Sequence, residues 1–190
     1  MCSLQSTFGL LFLSQIWVLP EWPTLLAPVL GKLQFVNLDN LPEGCDIAWT
    51  MFILEAAPSV KELCITVWDH WCPIVTDKKL RQKYGYLDKA NVEWKPSASN
   101  FKHKSLAKLT IYGFHPAGDF VRYISHVIEA AVNLKEISLH DRKSCDGKCG
   151  DLDPKIKVSP SRYPRTPEER MRVKEELGMA ASSDLVHFRS

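Results

Sequence analysis

The stretch Ile53-Leu-Glu-Ala-Ala-Pro-Ser-Val-Lys-Glu-Leu63 decides the fold, because nearly the same stretch occurs twice. It returns 74 residues later as Val127-Ile-Glu-Ala-Ala-Val-Asn-Leu-Lys-Glu-Ile137. Each copy runs from a helix-like segment into an apolar pattern of the form LxxLxL. A chain that repeats one helix-and-strand unit is typical of a solenoid, and solenoids usually present a binding surface.

The LxxLxL pattern occurs four times, with starts 30, 46 and 28 residues apart. Its fourth and sixth positions are two residues apart, so both side chains of a strand would point into the core. Strands joined by long connections pair in parallel. The sequence therefore predicts an α/β leucine-rich-repeat solenoid, a short parallel sheet with helices on its outer side, with about four irregular repeats and a C-terminal cap. The apolar triplets are Leu30/Leu33/Phe35, Val60/Leu63/Ile65, Leu106/Leu109/Ile111 and Leu134/Ile137/Leu139.

Two of the connections are predicted to contain helices. After the third strand, Asp119 is expected to cap a helix with one apolar stripe. The matching stretch from Asp46 to Ala57 repeats the pattern less regularly and ends at Pro58, which cannot continue a helix. The apolar positions are Phe120, Val121, Ile124, Val127, Ile128 and Ala131 in the later stretch, and Ile47, Ile53, Leu54 and Ala57 in the earlier one.

The chain divides into three regions. Residues 1–29 are an apolar segment, expected to be a partial repeat or cap that earlier repeats would precede. Residues 30–142 hold the repeats, with a basic insertion at 73–104 that carries eight Lys or Arg and three acids. Residues 143–190 are predicted to be a linker and a capping segment. In that segment Thr166-Pro-Glu-Glu169 is a capping box. The helix is expected to run to about Leu177, and residues 185–188 are expected to form one last short strand.

Composition favours a soluble protein of the cytoplasm or nucleus. Charged residues make up 24%, and the net charge is +2, which does not favour polyanion binding. Six cysteines at irregular spacing are typical of reduced thiols. Apolar residues 8–19 resemble a signal-peptide core, so a secreted recognition protein is the alternative, but no basic residue precedes them. The run is too short to span a bilayer, and no membrane association is expected.

Several phrases of the sequence resemble the C-terminal leucine-rich-repeat region of plant F-box proteins, particularly the grass set with an FBD-like ending. The similarity covers the chain from about Leu30 to its end. The matching phrases are Phe52-Ile-Leu-Glu-Ala-Ala-Pro-Ser-Val-Lys-Glu-Leu63, Asn91-Val-Glu-Trp-Lys-Pro-Ser-Ala98, Phe101-Lys-His, Leu106-Ala-Lys-Leu-Thr-Ile-Tyr-Gly-Phe114, Tyr123-Ile-Ser-His-Val-Ile-Glu-Ala-Ala131, Asn133-Leu-Lys-Glu-Ile-Ser-Leu-His-Asp-Arg142 and Tyr163-Pro-Arg-Thr166.

The resemblance implies a role in substrate recognition. Proteins of that family are similar to substrate receptors of SCF ubiquitin ligases, in which an F-box holds a Skp-type adaptor and the repeats bind the protein to be ubiquitinated. No F-box-like segment precedes the repeats in this sequence, so a Skp-type adaptor is not expected to bind it directly. Without the F-box, the resemblance implies a non-catalytic protein-interaction module.

The side chains that flank the buried pair of each strand are expected on the inner face of the curve, in three columns. The first alternates in sign, and its charges are expected to pair across neighbouring strands. The other two are small or amphipathic and are the predicted partner-binding residues, with Tyr112 as the anchor because aromatic side chains dominate interface hot spots. The first column is Lys32, Glu62, Lys108 and Glu136. The second is Gln34, Cys64, Thr110 and Ser138, and the third is Val36, Thr66, Tyr112 and His140.

The sequence predicts no cofactor, no nucleic-acid partner and no catalytic site. His140, Cys145 and Cys149 are ligand types that suit zinc, but the sequence offers no fourth ligand, and a zinc protein or metal-dependent or hydrolytic enzyme is the less favoured alternative. Lysines and aromatic residues of the basic insertion are typical of a solvated loop more than of a base-stacking surface. No nucleotide-binding, hydrolase or metalloprotease motif occurs.

Overall fold

The fold is α/β, with a five-stranded parallel sheet. The computed structural model describes residues 23–42, 47–68, 100–141 and 161–189. The strands stand in the sheet in chain order, β1 to β5, and all four neighbouring pairs are parallel. The elements are α1 (Pro23–Leu30), β1 (Phe35–Pro42), a 3₁₀ turn (Ile47–Thr50), α2 (Met51–Ala56), β2 (Glu62–Trp68), β3 (Lys108–Tyr112), α3 (Gly118–Ala130), β4 (Glu136–His140), α4 (Pro167–Glu176) and β5 (Val186–Arg189).

One face of the sheet is packed against the helices. Apolar side chains alternate with polar ones along β3, and Leu109 and Ile111 are fully buried. Their neighbours on the adjacent strands, such as Leu63 and Ile137, belong to the same core. That core also contains the buried side chains of α2 and α3. The predicted parallel strands and their inward-facing residues are therefore confirmed for β2, β3 and β4.

The strand β1 corrects the prediction. It pairs Val36 with Leu63 and Leu38 with Ile65, and its buried residues are Val36, Leu38 and Leu41. Leu33 lies before the strand, and the predicted core residue Phe35 is 41% exposed. The physical reason is local, because α1 runs to Leu30 and a turn follows before the strand begins. The register also shifts between Leu38 and Leu41, as at a one-residue bulge.

The helices are close to their predicted places. The segment predicted from Asp46 divides into a 3₁₀ turn and the short α2, and it ends at Ala56, two residues before Pro58. For α3, Ala117 and not Asp119 is the N-cap residue. Asp119 lies in the first turn, where its carboxylate is favoured by the helix dipole and pairs with Arg122 at 3.1 Å. The pattern missed Tyr123, which is fully buried.

Inside the core, Thr50 of the 3₁₀ turn before α2 forms a hydrogen bond with Tyr123 of α3. Their hydroxyl oxygens are 3.1 Å apart, and the Thr50 hydroxyl is also 2.8 Å from the Ile47 carbonyl, which can only accept. Thr50 has one hydrogen, so both contacts are satisfied when Tyr123 donates to Thr50. Burial raises the pKa of Tyr123 and keeps its hydroxyl protonated.

The C-terminal segment adds the fifth strand. Thr166 and Glu169 form the predicted capping box, in which each side chain accepts from the other residue's backbone N–H. The helix α4 ends in a Schellman motif, because Gly178 donates to Glu175 and Met179 donates to Lys174. The strand β5 then pairs with β4. The proposed last strand is thus present at Val186–Arg189, one residue later than predicted.

Asp141, immediately after β4, holds the beginning of this C-terminal segment. Its carboxylate accepts from the Ser161 hydroxyl and from the Arg165 guanidinium, the latter at 2.7 Å. The Tyr163 hydroxyl donates to the Leu139 carbonyl at 2.9 Å, so the same segment is also attached to β4 itself. These bonds fix the segment against the last predicted repeat.

Candidate interaction surface on the open face of the sheet

The open face of the sheet is the side opposite to the helices, and strand pairing lines its side chains up in three columns. Parallel strands lie about 4.8 Å apart, so the members of a column are neighbours. The first column is Phe35, Glu62, Lys108 and Glu136. The second is Asn37, Cys64, Thr110, Ser138 and His187, and the third is Thr66, Tyr112, His140 and Arg189.

Six of the eight predicted partner-binding residues lie on this face, and two do not. Val36 is 6% exposed and lies in the core opposite Leu63. Gln34 precedes β1, and its carbonyl accepts from the backbone N–H groups of Lys61 and Glu62. Both predictions failed because the first LxxLxL copy was placed three residues too early. The six residues on the face are Cys64, Thr66, Thr110, Tyr112, Ser138 and His140.

Sequence reasoning missed four members of the columns, which are Phe35, Asn37, His187 and Arg189. Asn37 has the place expected for Gln34, and the difference follows from the register of β1. His187 and Arg189 extend the second and third columns onto β5. Residues 185–188 carried a strand signal, so continuing the columns across that strand would have found His187.

The six predicted residues on the face differ in how much of each side chain is accessible. Ser138 is 3% exposed and Thr66 is 9% exposed, so these two contribute little surface. Cys64, Thr110, Tyr112 and His140 are half-buried. A partner that docked on the open face would therefore meet the last four.

Tyr112 and His140 form a stacked pair in the third column. Their ring centroids are 4.4 Å apart, and the ring planes are tilted by 31°. The Ser138 hydroxyl lies 3.0 Å from Nε2 of His140, on the same strand and the same face. Two contacts therefore fix the imidazole, one against its ring face and one at its edge.

His140 is held in its neutral form at neutral pH. Desolvation is the largest cause that lowers its pKa, followed by the positive charges of Arg189 and Lys108, and Glu136 opposes them. A neutral imidazole with its hydrogen on Nδ1 can accept the Ser138 hydroxyl hydrogen at Nε2. The stacked pair is therefore an uncharged aromatic surface with charged side chains beside it.

The Ser138 and His140 contact places a hydroxyl beside a base, which the sequence did not predict. Nucleophilic catalysis also needs a group that orients the base and a hydroxyl that the substrate can reach. The Ser138 side chain is almost fully buried, and no carboxylate of the described residues hydrogen-bonds the His140 ring. The contact orients the imidazole and offers little to a substrate.

Lys108 and Glu136 form the predicted cross-strand pair of the first column. The Lys108 Nζ and Glu136 Oε1 atoms are 3.4 Å apart, and both side chains are about one-third exposed. Such exposed pairs contribute about 0.2–1 kcal/mol. Lys32 does not continue this column, because Phe35 occupies the position beside Glu62.

Of the three residues of the alternative zinc site, His140 lies within the described ranges. His140 uses Nε2 for the Ser138 contact, while Cys145 and Cys149 lie outside the described residues, as does most of the basic insertion. Within the described ranges, no group of three or more His, Cys, Asp or Glu residues is placed to hold a metal ion. Nor does any helix in those ranges have the length and apolar character needed to cross a bilayer.

Comparison with known proteins gave no match to a family model, a curated protein or a solved structure. The geometry of the open face and the resemblance read from the sequence phrases are therefore the two sources of a functional proposal.

Proposed function

We propose that the chain forms a leucine-rich-repeat solenoid of about four repeats with a C-terminal cap, binds a protein partner on the open face of its sheet and has no catalytic activity of its own. Support comes from five parallel strands in chain order and from helices that pack on a single face. That arrangement leaves the other face free of the described helices. It is the arrangement that the repeated unit predicts.

The stacked pair of Tyr112 and His140 is the observation that carries this proposal. Large aromatic side chains that are already held in place lose little conformational freedom when a partner docks, so more of the contact energy appears as affinity. Tyrosine is also enriched among residues that dominate binding energies. The contacts of Tyr112 and Ser138 with His140 provide that preorganisation before any partner arrives.

The partner class follows from the resemblance. The phrases shared with F-box proteins suggest that the open face recognises a protein destined for ubiquitination, in the cytoplasm or nucleus. Direct contact with a Skp-type adaptor is not part of the proposal. A ligase would instead be reached through another chain or domain.

A pull-down tests the proposal. Tagged full-length protein would be incubated with plant lysate, and captured proteins would be quantified by mass spectrometry for the native chain, Tyr112→Ala and Thr110→Lys. Both substitutions change the open face, so a specific partner should be reduced at least tenfold, which corresponds to about 1.4 kcal/mol.

Arg122→Ala is the matched control, because Arg122 is exposed on α3, on the other side of the sheet. Circular dichroism and thermal unfolding would establish that each variant is folded. Partners that bind Tyr112→Ala and Thr110→Lys as well as they bind the control would refute the assignment of the open face.

A further inference from the structure

His103 occupies a buried position where the two helical connections meet. Its side chain is 2% exposed and belongs to the segment that leads into β3. The predicted partner surface does not include this residue, which lies outside the open-face columns. A histidine so buried must have both ring nitrogens accounted for.

Both nitrogens of the imidazole have backbone partners of opposite kind. Nδ1 accepts the Leu106 N–H at 2.9 Å. Nε2 lies 3.2 Å from the Ala57 carbonyl, to which it can only donate. These two contacts together define one state, a neutral ring with its hydrogen on Nε2.

The backbone of the same residue reaches a second helix. The His103 N–H donates to the Ala130 carbonyl at 2.8 Å, and its carbonyl accepts from Val132 at 3.2 Å. Ala130 is the last residue of α3, whereas Ala57 follows α2. One residue therefore joins the C-terminal ends of two helices to the start of β3. Lys102 adds a contact in the same place, from its Nζ to the Glu129 carbonyl at 2.6 Å.

A second proton would disrupt this arrangement in two ways. Protonated Nδ1 would point a hydrogen at the Leu106 N–H, so that two donors face each other. The ring would also carry a charge in a buried place, which is costly without a partner of opposite sign. The pKa of His103 is shifted by burial and by the Ala57 hydrogen bond, and no charged group is among its causes. The titratable groups on the elements packed around it are Lys102 and Lys104 on its own segment, Glu55 on α2, and Asp119, Arg122, His126 and Glu129 on α3.

We propose that His103 is a pH-dependent switch. The neutral imidazole holds residues 101–107 against the ends of α2 and α3, and protonation of the ring releases them. The release would loosen the start of β3, the strand that carries Tyr112. This switch does not depend on which partner the open face binds, because the contacts of His103 that form it lie within the chain.

The sign of the pH effect follows from the burial of the ring. Desolvation lowers the pKa of His103 below its ordinary value of 6.5, and the hydrogen bond to Ala57 opposes this only partly. From about pH 6.5 downward the unfolded chain therefore binds a proton that the folded chain resists. The stabilisation is complete above pH 6.5 and is lost as the pH falls toward the folded-state pKa.

Urea unfolding of the full chain between pH 7.5 and 5.0 tests this, with native protein beside His103→Asn. The asparagine oxygen can replace Nδ1 as the acceptor for Leu106 but cannot titrate. The unfolding constant of the native chain should rise more steeply below pH 6.5 than that of the variant, about tenfold for each pKa unit between folded and unfolded states. His187→Asn is the matched control, because it removes a histidine of β5 that is not among the contacts of His103, so the steeper rise that depends on His103 should remain.

A measurement on the native protein covers the case in which His103→Asn does not fold. Nitrogen chemical shifts should identify the tautomer with hydrogen on Nε2, and amide-exchange protection of Leu106 and Val132 should fall on acidification before that of Ile137 in β4. Equal pH profiles for native protein and variant would overturn the proposal. So would a His103 ring that titrates while Leu106 and Val132 stay protected.

Discussion

The two faces of strand β3 differ in what they contribute. Leu109 and Ile111 point to the helices and are fully buried, whereas Lys108, Thr110 and Tyr112 are only partly covered. The same backbone thus places a close-packed apolar layer on one side and a set of partly exposed polar and aromatic side chains on the other. Residues of the core and residues of the proposed binding surface therefore alternate along one strand, so we expect that each set can be changed with little effect on the other.

Shortening a side chain on the buried face should give the largest effect. Ile111→Ala removes a fully buried side chain from the middle of the sheet and leaves a cavity, which should cost about 2–5 kcal/mol of unfolding free energy. Urea denaturation measures this loss. Thr110→Ala is the matched control, because Thr110 directly precedes Ile111 and lies on the open face. A loss of unfolding free energy equal to that of Ile111→Ala would abolish the distinction between the faces.

The turn that follows β3 should be nearly as sensitive. Gly113 has φ +79°, and a Cβ there would lie 2.3 Å from the Val67 carbonyl oxygen of β2. Gly113→Ala combines a left-handed backbone, worth about 1–2 kcal/mol, with that clash, so we expect a loss above about 2 kcal/mol in urea denaturation.

Gly178→Ala separates these two causes. Gly178 has φ +69°, but no atom lies within 4 Å of its Cβ position. Only the conformational cost of about 1–2 kcal/mol should remain. Equal losses at Gly113 and Gly178 would show that the approach of Val67 is unimportant.

Charges on the open face should matter much less. A double-mutant cycle with Lys108→Ala and Glu136→Ala should give a coupling of about 0.2–1 kcal/mol, because both side chains are partly exposed to water. Raising the salt concentration should weaken this coupling further. A value above about 2 kcal/mol would mean that the pair acts as part of the core.

The smallest expected change is confined to the titration of one ring. Arg189→Gln removes a positive charge that lowers the pKa of His140, so this pKa should move upward toward its ordinary value of 6.5. Desolvation is the larger cause and should keep it from returning completely. NMR titration of the His140 ring measures the change, with Arg122→Gln on α3 as the control. A pKa that does not move would remove Arg189 from the surroundings of His140.

Features that depend on local spacing were predictable from the sequence. The alternation in β2 to β4 and the capping box at Thr166 require only residues close together in the chain. The Lys108 and Glu136 pair was also predicted, because matching LxxLxL copies put both in the same column. The resemblance to F-box repeat proteins stays a prediction.

The position of the first strand and the detailed side-chain contacts between distant segments were not predictable. The predicted position of β1 was wrong because Leu30 belongs to a helix, and the apolar spacing alone could not show where that helix ends. The stacking of Tyr112 on His140 joins residues 28 positions apart, and the contact of His103 with Ala57 joins residues 46 positions apart. The LxxLxL spacing placed Tyr112 and His140 in one column but could not show that their rings stack, and it gave no sign of the His103 contacts.

The register of the sheet also bears on how such a chain can grow. The LxxLxL copies of β2 and β3 start 46 residues apart, and those of β3 and β4 start 28 apart, yet both strand pairs align five residues without a shift. Lengthening a loop costs little entropy, about 0.6 kcal/mol for each doubling. Insertions between strands can therefore accumulate over evolutionary time, adding new sequence to the molecule while the spacing of its side-chain columns stays the same.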